Sequence, residues 1–255
     1  MGKFRSRFIA HRGESRDAPE NTLAAVNLAW ERGVTAVEVD VHSTADGEIC
    51  VIHDKKTTRT TGESLVVGKT SLSRLQELDA GAWKGSAWKG EKIPALSQIL
   101  STVPEYGKLI IEIKSAGILP GKLYEEVSRS RLRVDQVEII AFDIKILTSL
   151  QKTMPDHRML WLLDPLWFWL YLSGSSFLAK KIIKYGLHGI NIGYSPLLTR
   201  SLVTGLKAAG LPVYVWTVNH FKTAAMLLDY GADMIASDKA GRMIRNIENM
   251  NNTVI

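Results

Sequence analysis

Residues 8–42 read FIAHRGESRDAPENTLAAVNLAWERGVTAVEVDVH. An apolar run, residues 8–11, comes first and ends in His11. Glu20-Asn21-Thr22 then opens an apolar-periodic stretch, as polar residues at a helix start do. Gly33 closes it, where a glycine can take the positive φ that a helix end favours. In the next run Val37, Val39 and Val41 alternate with Glu38, Asp40 and His42, the period of a strand. The stretch is thus a strand, a helix and a second strand.

The same rhythm continues to the end of the chain. Further strand-like runs fall at 109–114, 137–142, 158–162, 189–192, 213–218 and 233–236. Helical patterns fall at 20–32, 96–102, 121–131, 143–152, 176–185, 199–209, 221–230 and 241–249. Gly186, Gly210 and Gly231 each follow one of them. Eight such units in 255 residues predict an α/β protein, a (β/α)8 TIM barrel. The competing architecture, an open doubly wound sheet, usually carries a GxGxxG after its first strand, and this chain has none there. Residues 54–93 break the rhythm: they are polar and glycine-rich, carry Trp83 and Trp88, and follow an extra strand at 48–53.

Composition narrows the function classes. The chain is 45% hydrophobic and 23% charged, which excludes a disordered or fibrous protein. Its net charge of +6 suits an anionic substrate, a membrane surface or nucleic acid. The single Cys50 excludes an internal disulfide framework and a multi-cysteine zinc site, and it reads as a small core residue. No secretory signal is legible, and the match of Met1-Gly2 with Ser6 to a myristoylation pattern is read as coincidence. The most apolar stretch, 159–172, is interrupted by Asp164 and Pro165 and is too short to cross a bilayer. A nucleic-acid surface would need a basic stripe with stacking aromatics; Trp83 and Trp88 with Lys84 and Lys89 read instead as a solvated loop.

Barrel enzymes place their chemistry at the C-terminal ends of strands. Strand 1 ends in His11-Arg12-Gly13-Glu14. Glu38, Asp40 and His42 share one face of strand 2, and Glu112 shares a face with Lys114 on the next. Three carboxylates on neighbouring strands repel one another, and a divalent cation bound through oxygen, Mg²⁺ or Ca²⁺, relieves this economically. The alternative is a structural ion cluster with Arg12 and Lys114. His11 and His53 both end apolar runs and could act as general acid and base. Arg12 beside His11 can hold a phosphate bidentately.

IAHRGESRDAPENTLAAVNLAWERGVTAVEVDVHSTADGEICVIHD resembles the N-terminal signature of the glycerophosphodiester phosphodiesterases, with HRG, PENT, ExD, a DG hairpin and HD in order. The resemblance continues through LDAGAWKG, IPAL, IEIK, AFD, VWTVN and GADMIASDKAG and covers nearly the whole chain. It implies one barrel domain over 1–255 with a small insertion after strand 2, here residues 44–92. It implies hydrolysis of glycerophosphodiesters to glycerol 3-phosphate and an alcohol, with a divalent metal. Carried over, Glu38, Asp40 and Glu112 are the metal ligands, and His11 and His53 the acid–base pair. Arg12 and Lys114 contact phosphate, Glu20 is the PENT glutamate, and Trp216 lines the substrate groove. Ala141 and Ser237-Asp238-Lys239-Ala240 depart from the family pattern, at positions expected to bear on substrate preference. His42 is a neighbour of the metal site, not a ligand.

Three readings compete with this one: lysophospholipase D-like cleavage of a lysolipid at a membrane, an aldolase-type barrel, and a non-catalytic lipid-binding barrel. An aldolase wants a Schiff-base lysine, and Lys114 beside three carboxylates is better explained as a phosphate contact. The expected substrate is a small-molecule or lysolipid phosphodiester, without nucleic acid. The expected location is the cytoplasm, with peripheral membrane contact left open. The aromatic run 166–172 is either core or an apolar lip that, with Lys3, Arg5 and Arg7, would meet an anionic membrane. The sequence leaves the oligomeric state open.

Overall fold

The structure, a computed structural model, describes residues 6–114, 117–118, 120–164 and 174–252, the last five of these by backbone alone. One nine-stranded sheet dominates it. Its strands are β1 (Phe8–His11), β2 (Ala36–Ser43), β3 (Ile49–Val51), β4 (Lys108–Ile113), β5 (Val137–Ala141), β6 (Arg158–Leu163), β7 (Gly189–Gly193), β8 (Val213–Trp216) and β9 (Met234–Ser237). The order is β1-β9-β8-β7-β6-β5-β4-β2-β3, and β1 also pairs with β2, which closes the ring. Every pairing in the ring is parallel; β3 alone is antiparallel, a hairpin on β2. The protein is a (β/α)8 TIM barrel.

The helices between ring strands are α1 (Leu23–Glu31), α4 (Leu96–Leu100), α5 (Pro120–Arg129), α6 (Ile144–Gln151), α7 (Gly174–Lys184), α8 (Arg200–Ala208) and α9 (Phe221–Asp229). A last helix, α10 (Ala240–Asn252), follows β9 and packs against β1. Their starts have local causes. Thr22, Asp143 and Thr199 each accept a hydrogen bond from a backbone N–H of the first turn, filling one of the donors a helix start leaves open. Residues 20–22 therefore precede α1 instead of belonging to it, so the helix starts three residues in from the pattern read in the sequence.

Side-chain alternation sorts the core into two layers. Val37, Val39 and Val41 face outward and join the cluster under the helices. Ile9, Ala36, Ile110, Ile140, Leu160, Tyr214 and Met234 face inward and fill the barrel floor. On β1, β2 and β4 the inward face changes character as the strand rises. Ile9 is followed two residues on by His11, Ala36 by Glu38 and Asp40, and Ile110 by Glu112. An apolar plug thus supports a polar mouth.

Residues 44–92 hold β3, the short helices α2 (Thr58–Thr61) and α3 (Leu72–Glu77), and 3₁₀ turns at Val67–Lys69, Ala82–Lys84 and Ser86–Trp88. They are more than a solvated polar loop. Cys50, Ile52, Val67, Leu75, Leu78, Ala80 and Ile93 form a separate buried cluster. The apolar residues are too scattered for either strand or helix period, so their convergence is not visible locally. Burial pushes the Cys50 thiol up to about 12, in keeping with an inert core residue. Trp83 is exposed, with Lys84 above its ring. No helix among the described residues is long and apolar enough to cross a membrane. The aromatic run 166–172, Lys3 and Arg5 lie outside the described residues. Arg7 does not belong to a free basic arm: its guanidinium donates to the carbonyls of Asp233, at 2.7 Å, and Ala232.

Candidate active site

Strand register gathers the charged residues at the mouth. His11 stands beside Glu38, and Asp40 beside Glu112. One oxygen from each of Glu38, Asp40 and Glu112 lies within 4.8 Å of the others, and all three side chains are buried. Two cations enter this cluster. Lys114 Nζ lies 3.0 Å from Asp40 Oδ1 and 2.5 Å from Glu112 Oε1. Arg12 Nε lies 3.0 Å from Asp40 Oδ2, and the Arg12 backbone N–H donates to Glu38 Oε2 at 2.9 Å. The backbone at Arg12 makes this reach through a left-handed turn, φ 57°, followed by Gly13 at φ 77°. A Cβ at residue 13 would come within 2.5 Å of the Ala25 carbonyl carbon, so only glycine fits there. Asn21 completes the setting of Asp40, donating to Oδ2 at 2.8 Å and accepting from the Asp40 N–H at 3.1 Å.

The ion-cluster alternative is partly realised, since Arg12 and Lys114 do pair with these carboxylates. It does not close. Glu38 Oε1 is buried without a partner. Burial, then the charges of Asp40 and Glu112, push the Glu38 carboxyl well above the usual carboxylate range. Burial and the Asp40 charge push Glu112 up to about 7. Asp40 is the opposite case. Lys114 and Arg12, with His53 and His11, overcome its burial and hold it low. A buried all-oxygen group short of positive charge is what a hard divalent cation binds, and these three side chains could hold one.

Each histidine leans on a carboxylate. His11 Nδ1 lies 2.7 Å from Asp238 Oδ1, and its Nε2 is 4.0 Å from Glu38 Oε2. Asp238 is in turn held by Asn219 Nδ2 at 2.6 Å and Ser15 Oγ at 3.2 Å. Burial would raise Asp238, but these donors bring it down to about 2. His53 Nδ1 lies 2.7 Å from Asp54 Oδ1, and Asp54 also accepts from Arg59 Nε at 2.6 Å. Burial, then Lys114 and Arg12 acting against Asp40, lower the His53 imidazole below its ordinary value. His42 holds the same segment: its Nε2 lies 3.0 Å from the His53 carbonyl oxygen.

Glu20 stands between two arginines. It takes Arg12 Nη1 at 2.9 Å and Arg59 at 2.7 and 2.8 Å, so both oxygens are occupied. Trp216 lies across the mouth, its Nε1 donating to the Asn191 carbonyl at 3.3 Å and its ring 5.9 Å from Phe142, edge-on. Lys114 Nζ is 5.9 Å from the same Phe142 ring.

All nine residues singled out from the sequence stand at this mouth. Several residues that hold them were missed as site residues. Asp54 was signalled by its place directly after His53, and Asn219 by the VWTVN run. Asp238 lies in a segment read as a departure at the pocket rim, yet it carries His11. Arg59 sits in the insertion with no local motif.

A parallel barrel whose mouth gathers buried carboxylates, two buttressed histidines and an arginine fits acid–base chemistry on an anionic substrate. The model of the glycerophosphoryl diester phosphodiesterase family matches residues 11–242. YhdW of Bacillus subtilis is 34% identical over 244 residues, which is 93% of this chain and 96% of that protein. The glycerophosphodiester phosphodiesterase of Caldanaerobacter subterraneus is 33% identical over 241 residues, 92% of this chain and 95% of that one. A phosphodiesterase of Oleispira antarctica, solved in complex with the product sn-glycerol-3-phosphate, has a TM-score of 0.84 at 29% identity and covers 95% of this chain and 96% of that one. The chain belongs to the glycerophosphoryl diester phosphodiesterase family. It is a phosphoric diester hydrolase.

Proposed function

We propose that this protein hydrolyses glycerophosphodiesters to glycerol 3-phosphate and an alcohol, using His11 and His53 as proton carriers beside a metal held by Glu38, Asp40 and Glu112. The observation that carries the reading is the incomplete charge balance at Glu38, in a mouth that also holds two histidines, each fixed through Nδ1. A product complex of the Oleispira antarctica relative supports the substrate class. In this reading the 44–92 insertion and the barrel act as one catalytic unit, because the insertion supplies His53 with its partner Asp54, and its Arg59 holds Glu20 of the barrel.

With Nδ1–H donated to Asp238, His11 presents Nε2 for proton transfer, and Asp54 does the same for His53. One imidazole starts neutral and takes the proton of the attacking hydroxyl; the other starts protonated at Nε2 and gives that proton to the leaving alkoxide. Arg12 and Lys114 face the phosphate and offset its charge. Glu20 positions Arg12, and Trp216 forms a wall of the groove. Bound Mg²⁺ or Ca²⁺ would supply Lewis-acid neutralisation of the phosphoryl charge, the chemistry that oxygen ligands of this kind support.

The test is an assay of glycerophosphocholine, glycerophosphoethanolamine and lysophosphatidylcholine with Mg²⁺, Ca²⁺ or chelator. Glycerol 3-phosphate and lysophosphatidate are measured separately. Metal-dependent release of glycerol 3-phosphate is expected. Turnover that chelator leaves untouched would overturn the metal assignment, and lysophosphatidate as the main product would overturn the substrate assignment.

A further inference from the structure

Away from the carboxylate cluster, a cavity of about 510 Å³ opens between the loop after β8, the start of α10 and the end of α1. Arg32, Lys239, Arg242 and Arg245 line it together with Asn219 and Phe221. The neighbouring acids are already committed. Arg32 Nη1 holds Glu14 at 2.6 Å and Asp17 at 2.5 Å, and Arg242 Nε holds Asp17 at 3.0 Å. Asp238 is bound by His11, Ser15 and Asn219. Lys239 and Arg245 have no carboxylate partner among the described residues. Among the described residues four cations, Arg32, Lys239, Arg242 and Arg245, face three acids, Glu14, Asp17 and Asp238, so the concave site is net positive.

We propose that this cavity binds a phosphate monoester dianion, with Lys239 and Arg245 as its principal contacts. Such a group brings the negative charge that this net positive site attracts, and Lys239 and Arg245 are the two lining cations without a carboxylate partner among the described residues. A guanidinium can hold its oxygens bidentately, and an ammonium adds a point charge. Phe221 offers an apolar wall for a short carbon skeleton. The site shares no residue with Glu38, Asp40 and Glu112, and the Asn219 amide on the common wall is engaged by Asp238 and Ser237. The ligand is therefore a second one, bound beside the reacting ester and not in its place. The same monoester chemistry is found on a free sugar or glycerol phosphate and on a phosphatidate headgroup.

Calorimetric titration of the metal-stripped protein with inorganic phosphate tests the site at low ionic strength. Lys239→Gln with Arg245→Gln is the informative variant. Circular dichroism melting checks its fold. The double variant should lose at least about tenfold in phosphate affinity, as expected when two charge-assisted contacts are removed. An isotherm unchanged from the parent, or heats that chloride reproduces at equal ionic strength, would overturn the site. Two further arms assign the source. Glycerol 3-phosphate binding that the double variant weakens supports a soluble ester. Cosedimentation with phosphatidylcholine vesicles containing phosphatidate, lost in the double variant, supports a headgroup. A parent that binds none of the three overturns the proposal.

Discussion

Two buried ion clusters sit at opposite ends of the same barrel and differ in how their charge is balanced. At the N-terminal end Glu138 on β5 meets Lys108 from β4 at 2.5 Å, the Tyr214 hydroxyl from β8 at 3.0 Å and Arg158 from β6 at 3.8 Å. One acid there has two cations and a hydroxyl, and both of its oxygens are paired. At the C-terminal end three acids share Lys114 and Arg12, and Arg12 is divided further with Glu20. Glu38 Oε1 stays unpaired. Leaving a buried polar group unsatisfied costs about 1–3 kcal/mol, more for a charge, so a fold selected for stability alone would not keep it. The closed cluster holds strands together; the open one is suited to taking up a ligand. Barrels separate stability and chemistry between their two faces in this way.

The comparison is broken most directly by a pair of neutralising substitutions. Glu38→Gln should reduce turnover by at least about 10²-fold, a loss of a few kcal/mol of transition-state stabilisation, while the melting temperature holds or rises. Glu138→Gln should leave turnover per folded molecule unchanged and lower stability by about 3 kcal/mol, near the lower end for breaking a buried pair. Steady-state kinetics and urea melts on both proteins decide this. If Glu38→Gln loses stability and keeps activity, the roles of the two clusters are reversed.

His11→Ala should lose about 10²–10⁴-fold in turnover, the range for a general acid or base, and keep cation affinity. Loss of calorimetric Mg²⁺ binding in this variant would make His11 a ligand. Asp238→Asn tests the buttress behind His11 and should cost about 10–100-fold in turnover with little change in KM, the scale seen for supporting hydrogen bonds. It should also change acid stability. Because Asp238 is held down at about 2 in the folded protein, its contribution is present above the unfolded value near 3.8 and is lost as pH falls toward 2. The variant should lack that part of the acid transition.

The smallest expected effect concerns a carboxylate outside both clusters. Glu126 on α5 is buried, with Oε2 unpaired and Lys122 at 3.7 Å from its other oxygen. Burial, then the Glu48 charge, push it up to about 7. The unfolded chain releases this proton near 4.5, so stability falls as pH rises from there toward 7. Glu126→Gln should be neutral at pH 4 and stabilise by on the order of 1–3 kcal/mol at pH 8, with activity unchanged. Equal gains at both pH values would mean that the effect is packing, not charge.

Much of this architecture is legible in the chain. The alternation of Val and acid along 36–42 places Glu38 and Asp40 on one face, because successive side chains of a strand point to opposite sides. Gly33, Gly186, Gly210 and Gly231 all adopt positive φ after helices, as their positions in the sequence suggest. His11 ending β1 and Glu112 near the end of β4 follow from the same short-range rules. The HD pair even carries its own buttress, since Asp54 is adjacent to His53.

The rest is decided by closure of the ring and by loops packing over it. His11 and Asp238 meet at 2.7 Å across 227 positions because β1 pairs with β9. Arg59 reaches Glu20 only because the insertion folds on a small core of its own over the mouth. Lys239 and Arg245 share a cavity with Arg32 through the return of α10 to the first βα unit. The sequence by itself determined the strand and helix periods, the helix ends and the residues that face the barrel axis, since these depend on steric preferences over a few neighbouring positions. Which acid balances which base was left to the tertiary structure, because charge pairing is a matter of distance in space, and only the closed barrel sets those distances.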